Sequence, residues 1–168
     1  MNTTIQPAPV RKSVVVQAPP ARAFEVFTAR LGEWWPKTHH IGKSEPQTWI
    51  IEPRSGGRWF ERGVDGSECD IGHVLSWEPP HRLVLAWQLS ADFKYVRDLV
   101  TEVELRFTAE GTRATRVDLE HRHLERYGEL AAKVRDAVGS PGGWTQVLEH
   151  FAHAATSGDQ TTTRSRSP

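Results

Sequence analysis

The feature that most constrains this chain is a change of period. From Gln47 to Leu124 the apolar residues fall at alternate positions or in β-rich runs: QTWIIE, GRWFERG, ECDIGHVLSWEP, HRLVLAWQLS, LVTEVELRFTA and TRATRVDLEHRHL. Alternation places successive side chains on opposite faces of a strand. Turn formers separate the runs: Arg54-Ser55-Gly56-Gly57, Asp65-Gly66, Glu78-Pro79-Pro80 and Glu110-Gly111. Consecutive strands joined by short turns pair antiparallel, since a parallel pair needs a long crossover.

Helical spacing flanks these strands. VRKSVVVQAP reads as a first strand. Pro20 then opens a helix, where its missing N–H is tolerated, and Phe24, Phe27 and Leu31 form its apolar stripe. Gly32 and Trp34-Trp35-Pro36 end it, and THHIGKS is a polar loop. After Arg126 one stripe runs through Tyr127, Leu130, Ala131, Val134 and Val138. A second runs through Trp144, Val147, Leu148, Phe151 and Ala155. GSPGG between them predicts a kink or interruption. A helix of about 28 residues spans roughly 40 Å, enough to lie in the curve of a sheet. The expected architecture is α+β: a curved antiparallel sheet wrapped around a long C-terminal helix, with a small-molecule cavity between them. The domain is expected over residues 10–155, with disordered ends at 1–9 and 156–168.

Charge excludes some functions. Lys and Arg together number 21, and Asp and Glu number 21, which argues against a nucleic-acid or polybasic membrane surface. No apolar run reaches the length of a membrane span. The single cysteine, Cys69, excludes an internal disulfide and fits a cytoplasmic location. No CxxC motif is present to build a structural zinc knot. No cofactor is expected, and the chain is expected as a monomer or homodimer.

Several motifs carry a resemblance: APPARAFEVFT, EWWP, GGRWFE, GHVLSWEPPHRLVLAW, TRVDLEHRHLER and GGWTQVLEHF. Together they resemble the START-like, or helix-grip (SRPBCC), superfamily, and within it the homologues of heat-shock-protein ATPase activators. EWWP, GGRW and RVDLEHRHLERYG are also similar to START-like self-resistance proteins of enediyne producers. That resemblance implies binding of a polycyclic drug in the cavity. It also implies sacrifice of a backbone glycine, whose Cα hydrogen goes to the drug's diradical. The corresponding connection here, WQLSADFKYVRD, has no glycine; Ala91 and Phe93 occupy the turn. Drug binding carries over on this resemblance, and the sacrificial residue does not.

Alternation predicts which residues face the cavity. Cys69, Ile71, His73, Leu75 and Trp77 share one face, as do Leu83, Leu85, Trp87 and Leu89. Val103, Leu105 and Phe107 point inward, as do Thr115, Val117, Leu119, His121 and His123. Trp34, Trp35, Trp59, Phe60, Val134, Trp144, Leu148 and Phe151 complete the candidate lining. Any one of these aromatics taken singly fits ordinary core better, and for Trp77 and Trp144 the core reading is preferred; the cavity rests on the group and on the fold.

The histidines admit three readings. His121 and His123 with His73 could supply three nitrogens to zinc, although the resemblance implies no metal. His73 or His121 could transfer protons in a cyclase-like reaction, as START-like polyketide cyclases suggest. The third reading is a polar contact to a ligand or to a buried backbone group. The function expected is binding of a hydrophobic, aromatic or polycyclic small molecule, for sequestration or self-resistance. A polyketide cyclase or aromatase is the alternative. A chaperone-docking module, as in the eukaryotic activators, is the third; no charged docking surface is legible for it.

Overall fold

The computed structural model describes residues 8–165, with side chains through Thr156. The expectations for residues 1–7 and 166–168 lie outside the described residues. Seven strands form: β1 (Val10–Val16), β2 (Pro46–Ile51), β3 (Arg58–Gly63), β4 (Glu68–Glu78), β5 (Arg82–Trp87), β6 (Thr101–Ala109) and β7 (Thr115–Arg122). Helices α1 (Pro20–Thr28) and α2 (Leu31–Trp34) lie between β1 and β2. Helices α3 (Ala131–Gly139) and α4 (Gln146–Ser165) follow β7. The backbone is thus helical past residue 155, where loss of large apolar residues set the expected boundary.

The sheet order is β1-β7-β6-β5-β4-β3-β2, with every neighbour antiparallel. Strands β2 to β7 follow the chain as a meander, and β1 adds beside the last of them. The β1–β2 connection therefore carries α1 and α2 from one edge of the curled sheet to the other, inside the curve. There α1 packs on α4 and β6, and α2 packs on β2 and α4. This is the expected helix-grip fold.

Apolar burial drives the closure. Phe24 and Phe27 of α1 meet Phe107 of β6, and Phe27 and Trp34 meet Phe151 of α4, with ring centroids 5.1–6.3 Å apart. Aromatic pairs at this spacing contribute about 0.5–1.5 kcal/mol beyond area burial. The C-terminal helix is interrupted where GSPGG predicted it. Ser140 is extended, and a π-helical turn over Pro141–Thr145 leads into α4.

Strand β4 departs from simple alternation. Its register shifts between Trp59 and Phe60 on the β3 side, and between Val74 and Ser76 on the β5 side. An extra residue in a strand reverses the faces beyond it. Gly72, Val74 and Trp77 therefore pair with the inward Trp87, Leu85 and Leu83. His73 pairs with Ala86, which pairs with Glu102, on the outer face. Leu75 is exposed. In the expected inward set of Cys69, Ile71, His73, Leu75 and Trp77, His73 and Leu75 are therefore corrected to the outside, and Ile71 and Trp77 stay within.

Candidate functional site

A cavity of about 460 Å³ opens where the interruption between α3 and α4 faces the ends of β4 and β5. Its wall is aromatic and aliphatic: Trp35, Ile71, Trp87, Leu89, Val138, Trp144 and Val147. Its mouth is made by two loop segments. One carries Thr38, His39, His40 and Ile41, and the other Asp92, Phe93 and Lys94. Ala137, Gly142 and Gly143 close the helical side. Trp144 is the hub of the wall. Its ring sits 5.4 Å from Trp87 and 6.2 Å from Trp35.

Specific bonds shape this wall. His39 Nε2 lies 2.7 Å from the Gly142 carbonyl oxygen, joining the 36–42 loop to the helical interruption. Glu61, 1% exposed, accepts from the amides of Ile41 (2.7 Å) and Gly42 (2.9 Å) and from Trp49 Nε1 (3.2 Å). Three N–H donors satisfy a carboxylate that burial would otherwise penalise. Gly42 permits the approach, because a Cβ there would sit 2.8 Å from a Glu61 oxygen. At Gly143 a Cβ would lie 2.3 Å from the Val138 carbonyl oxygen, so the interruption also requires glycine.

His121 stands behind this wall. It is fully buried, with its ring 5.2 Å from that of Trp87 and 5.9 Å from that of Trp144. Trp144 Nε1 donates to His121 Nδ1 at 3.1 Å. An indole N–H can only donate, so Nδ1 carries the lone pair and Nε2 carries the hydrogen. Nε2 then donates to Thr101 Oγ1 at 2.8 Å, and the Thr101 hydroxyl donates to the Trp87 carbonyl oxygen at 3.1 Å. Burial pushes the His121 pKa down to about 3. A neutral imidazole with both nitrogens engaged has no site for proton transfer. Tyr127, whose hydroxyl donates to the Leu89 carbonyl oxygen, is pushed up to about 12 by burial.

The predicted site residues separate into three groups. Trp35, Ile71, Trp87 and Trp144 come together in the cavity wall. Trp34, Trp59, Leu85, Val103, Leu105, Leu119, Val134, Leu148 and Phe151 are buried core outside it, as His121 is. Cys69 also lies off the wall, near the site of a Gly42 Cβ; burial, aided by the charges of Glu61 and Asp70, raises its thiol pKa.

The remaining three are on the other side of the sheet or at its end. Phe60 lies under the guanidinium of Arg58, 4.0 Å from its ring centroid, and faces outward because it alternates with the inward Trp59 on β3. His73 Nδ1 lies 2.7 Å from Gln88 Oε1. His123 follows the last β7 residue with φ of 67° and stands beside Glu102 and Glu125 at 3.7 and 3.6 Å. The left-handed turn ends the alternation, so His121 and His123 do not share a face. The expected placement of Phe60, His73 and His123 in the lining is therefore corrected. Among the described residues no cluster of three or more His, Cys, Asp or Glu could hold a metal. Of the wall residues that sequence reasoning missed, Val138 and Val147 lie on the helical stripes, whereas His39, His40, Ile41 and Phe93 lie in segments without strand alternation. Alternation gives no signal there.

The family model described as Activator of Hsp90 ATPase homolog 1-like protein matches residues 17–156. The chain belongs to that family. Among solved structures it is 39% identical to Txn09, an anthrahydroquino-γ-pyrone synthase, with a TM-score of 0.63, covering 88% of this chain and 96% of that one. It is 33% identical to CalC, a self-sacrificing resistance protein from Micromonospora echinospora, with a TM-score of 0.67, covering 88% and 94%. A protein of the dynemicin biosynthetic locus, DynU16, shares the fold at 20% identity and a TM-score of 0.58, covering 88% of this chain and 47% of that one. No curated protein matches the sequence. No helix among the described residues of this Hsp90-activator-like chain is long and apolar enough to cross a membrane.

Proposed function

We propose that this member of the Hsp90-activator-like family binds an aromatic, polycyclic natural product and sequesters it, as in self-resistance. The observation that carries the reading is the 460 Å³ cavity walled by Trp35, Trp87 and Trp144. A pocket that is mainly apolar with a few polar groups suits a rigid aromatic ligand. Likeness to CalC and Txn09 supports the same ligand class. The turn at the cavity mouth carries Phe93 at φ of 62° and no glycine between residues 87 and 98, so the sacrificial glycine implied for that connection has no counterpart there, and the role proposed is sequestration. The single cysteine fits action in a reducing cytoplasm.

The test is titration with a polycyclic aromatic followed by extraction. Saturable quenching of tryptophan emission with the ligand recovered unchanged supports binding. Absence of saturable quenching overturns it.

A second reading, a cyclase-like enzyme, is favoured by the 39% identity to a synthase. It cannot use His73 or His121 as placed. The titratable side chains on the cavity wall are His39, His40, Asp92 and Lys94. Recovery of a cyclised or dehydrated product would establish this reading over sequestration.

A further inference from the structure

The polar groups of the cavity are not equivalent. Lys94 and Asp92 are exposed and face each other at 3.8 Å. His40 is exposed, with Nδ1 3.1 Å from the Gly42 carbonyl oxygen. His39 is half-buried, and its ring bridges the 36–42 loop and the helical interruption.

The His39 tautomer follows from its partner. A carbonyl oxygen can only accept, so Nε2, 2.7 Å from Gly142 O, carries the hydrogen. Nδ1 is then the lone-pair nitrogen. Its neighbour is the Thr38 hydroxyl at 3.5 Å, at the limit of hydrogen bonding. His121 has both ring nitrogens engaged at 2.8 and 3.1 Å, whereas His39 engages one closely and leaves an acceptor under-used in the cavity wall.

We infer that His39 Nδ1 accepts a hydrogen bond from a hydroxyl of the ligand, so that the cavity selects polycyclic phenols over their ethers. This rests on the binding role proposed above. His39 is a specificity-determining contact with two jobs: Nε2–H holds the loop to the helical interruption, and Nδ1 reads the ligand. A site built to pair with a hydroxyl discriminates against an analogue lacking it, because the protein's own acceptor is left unpaired.

The probes are 1-hydroxypyrene and 1-methoxypyrene, titrated at neutral pH by quenching of tryptophan emission. Wild-type protein is expected to bind the phenol about three- to tenfold more tightly, the size of one neutral hydrogen bond. His39→Gln retains an N–H donor near the Nε2 position and lacks the Nδ1 acceptor. It is expected to lose the preference, binding the phenol and the ether with equal affinity. Equal affinities in the wild type overturn the inference while leaving cavity binding intact. So does a preference that survives in His39→Gln. Binding of neither probe defeats both the binding reading and this inference. The wild-type comparison decides even if the variant does not fold.

Discussion

Strands β5, β6 and β7 carry polar groups on both faces and treat them differently. On the outer face Glu104 is shared by Arg82, Arg106 and Arg122, and Arg122 also reaches Glu102 at 2.9 Å and Glu120 at 3.2 Å. Burial alone would raise the Glu104 pKa, but hydrogen bonds from Arg82 and Arg122 outweigh it and the net shift is downward. Glu104, Arg82 and Arg122 each keep another partner if one neighbour is lost. On the inner face the titratable group is His121, held in a single-file chain from Trp144 through Thr101 to the Trp87 carbonyl. His121 and Thr101 are fully buried there, and among the described residues no charged partner stands by to replace a lost bond. Redundancy makes the outer network tolerant, and its absence makes the inner chain brittle, although both obey the same hydrogen-bond chemistry.

That contrast can be broken from its strong end. His121→Ala removes a filled volume and strands the Trp144 and Thr101 groups, and should destabilise the protein by about 3–5 kcal/mol in urea unfolding. A loss below 1 kcal/mol would mean that the inner chain is as tolerant as the outer one.

Acid is the next largest perturbation. The His121 pKa is about 3 when folded against an ordinary 6.5, so the unfolded chain takes up the proton first as pH falls. The contribution is fully present above pH 6.5 and is withdrawn between 6.5 and 3. Urea unfolding at pH 4 should show about 3 kcal/mol less stability from this residue than at pH 7. His121→Gln should flatten that segment of the profile; an unchanged slope would assign the acid loss to other groups.

Thr101→Val leaves the His121 Nε2–H buried without an acceptor and should cost about 1–3 kcal/mol. On the outer face, Glu120→Gln disturbs pairs whose side chains are 26% (Glu120), 75% (Arg11) and 23% (Arg122) exposed. It should change stability by less than about 1 kcal/mol, and by less still at high salt. A larger effect for Glu120→Gln than for Thr101→Val would reverse the comparison.

The sheet was legible because alternation survives wherever a strand is regular. Trp35, Trp87 and Trp144 were visible as large aromatics near a kink that GSPGG announced. Alternation failed at β4, where the extra residue of the first register shift sent His73 outward; at β3 it held, placing Phe60 on the face opposite Trp59. It failed again at His123, where a positive φ ends β7 one residue earlier than the HxH spacing implied. Register shifts and single left-handed residues arise from pairing between strands, which one strand's own pattern does not encode. The mouth was illegible for a different reason. His39, His40 and Phe93 lie in segments without period, and pairings such as His39 with Gly142 join residues 103 positions apart.

The two lips of the cavity are fastened unequally. The 36–42 lip is bound to β3 through Glu61 and to the helical interruption through His39. The backbone bonds of the 90–96 lip close on themselves, from Ser90 to Lys94, Phe93 to Ser90 and Val96 to Gln88. On the binding role proposed above, the second lip is expected to govern ligand traffic and to set residence time more than the tryptophan wall does. A contact added between Phe93 or Lys94 and the helical side would lengthen occupancy with little change in the rest of the pocket.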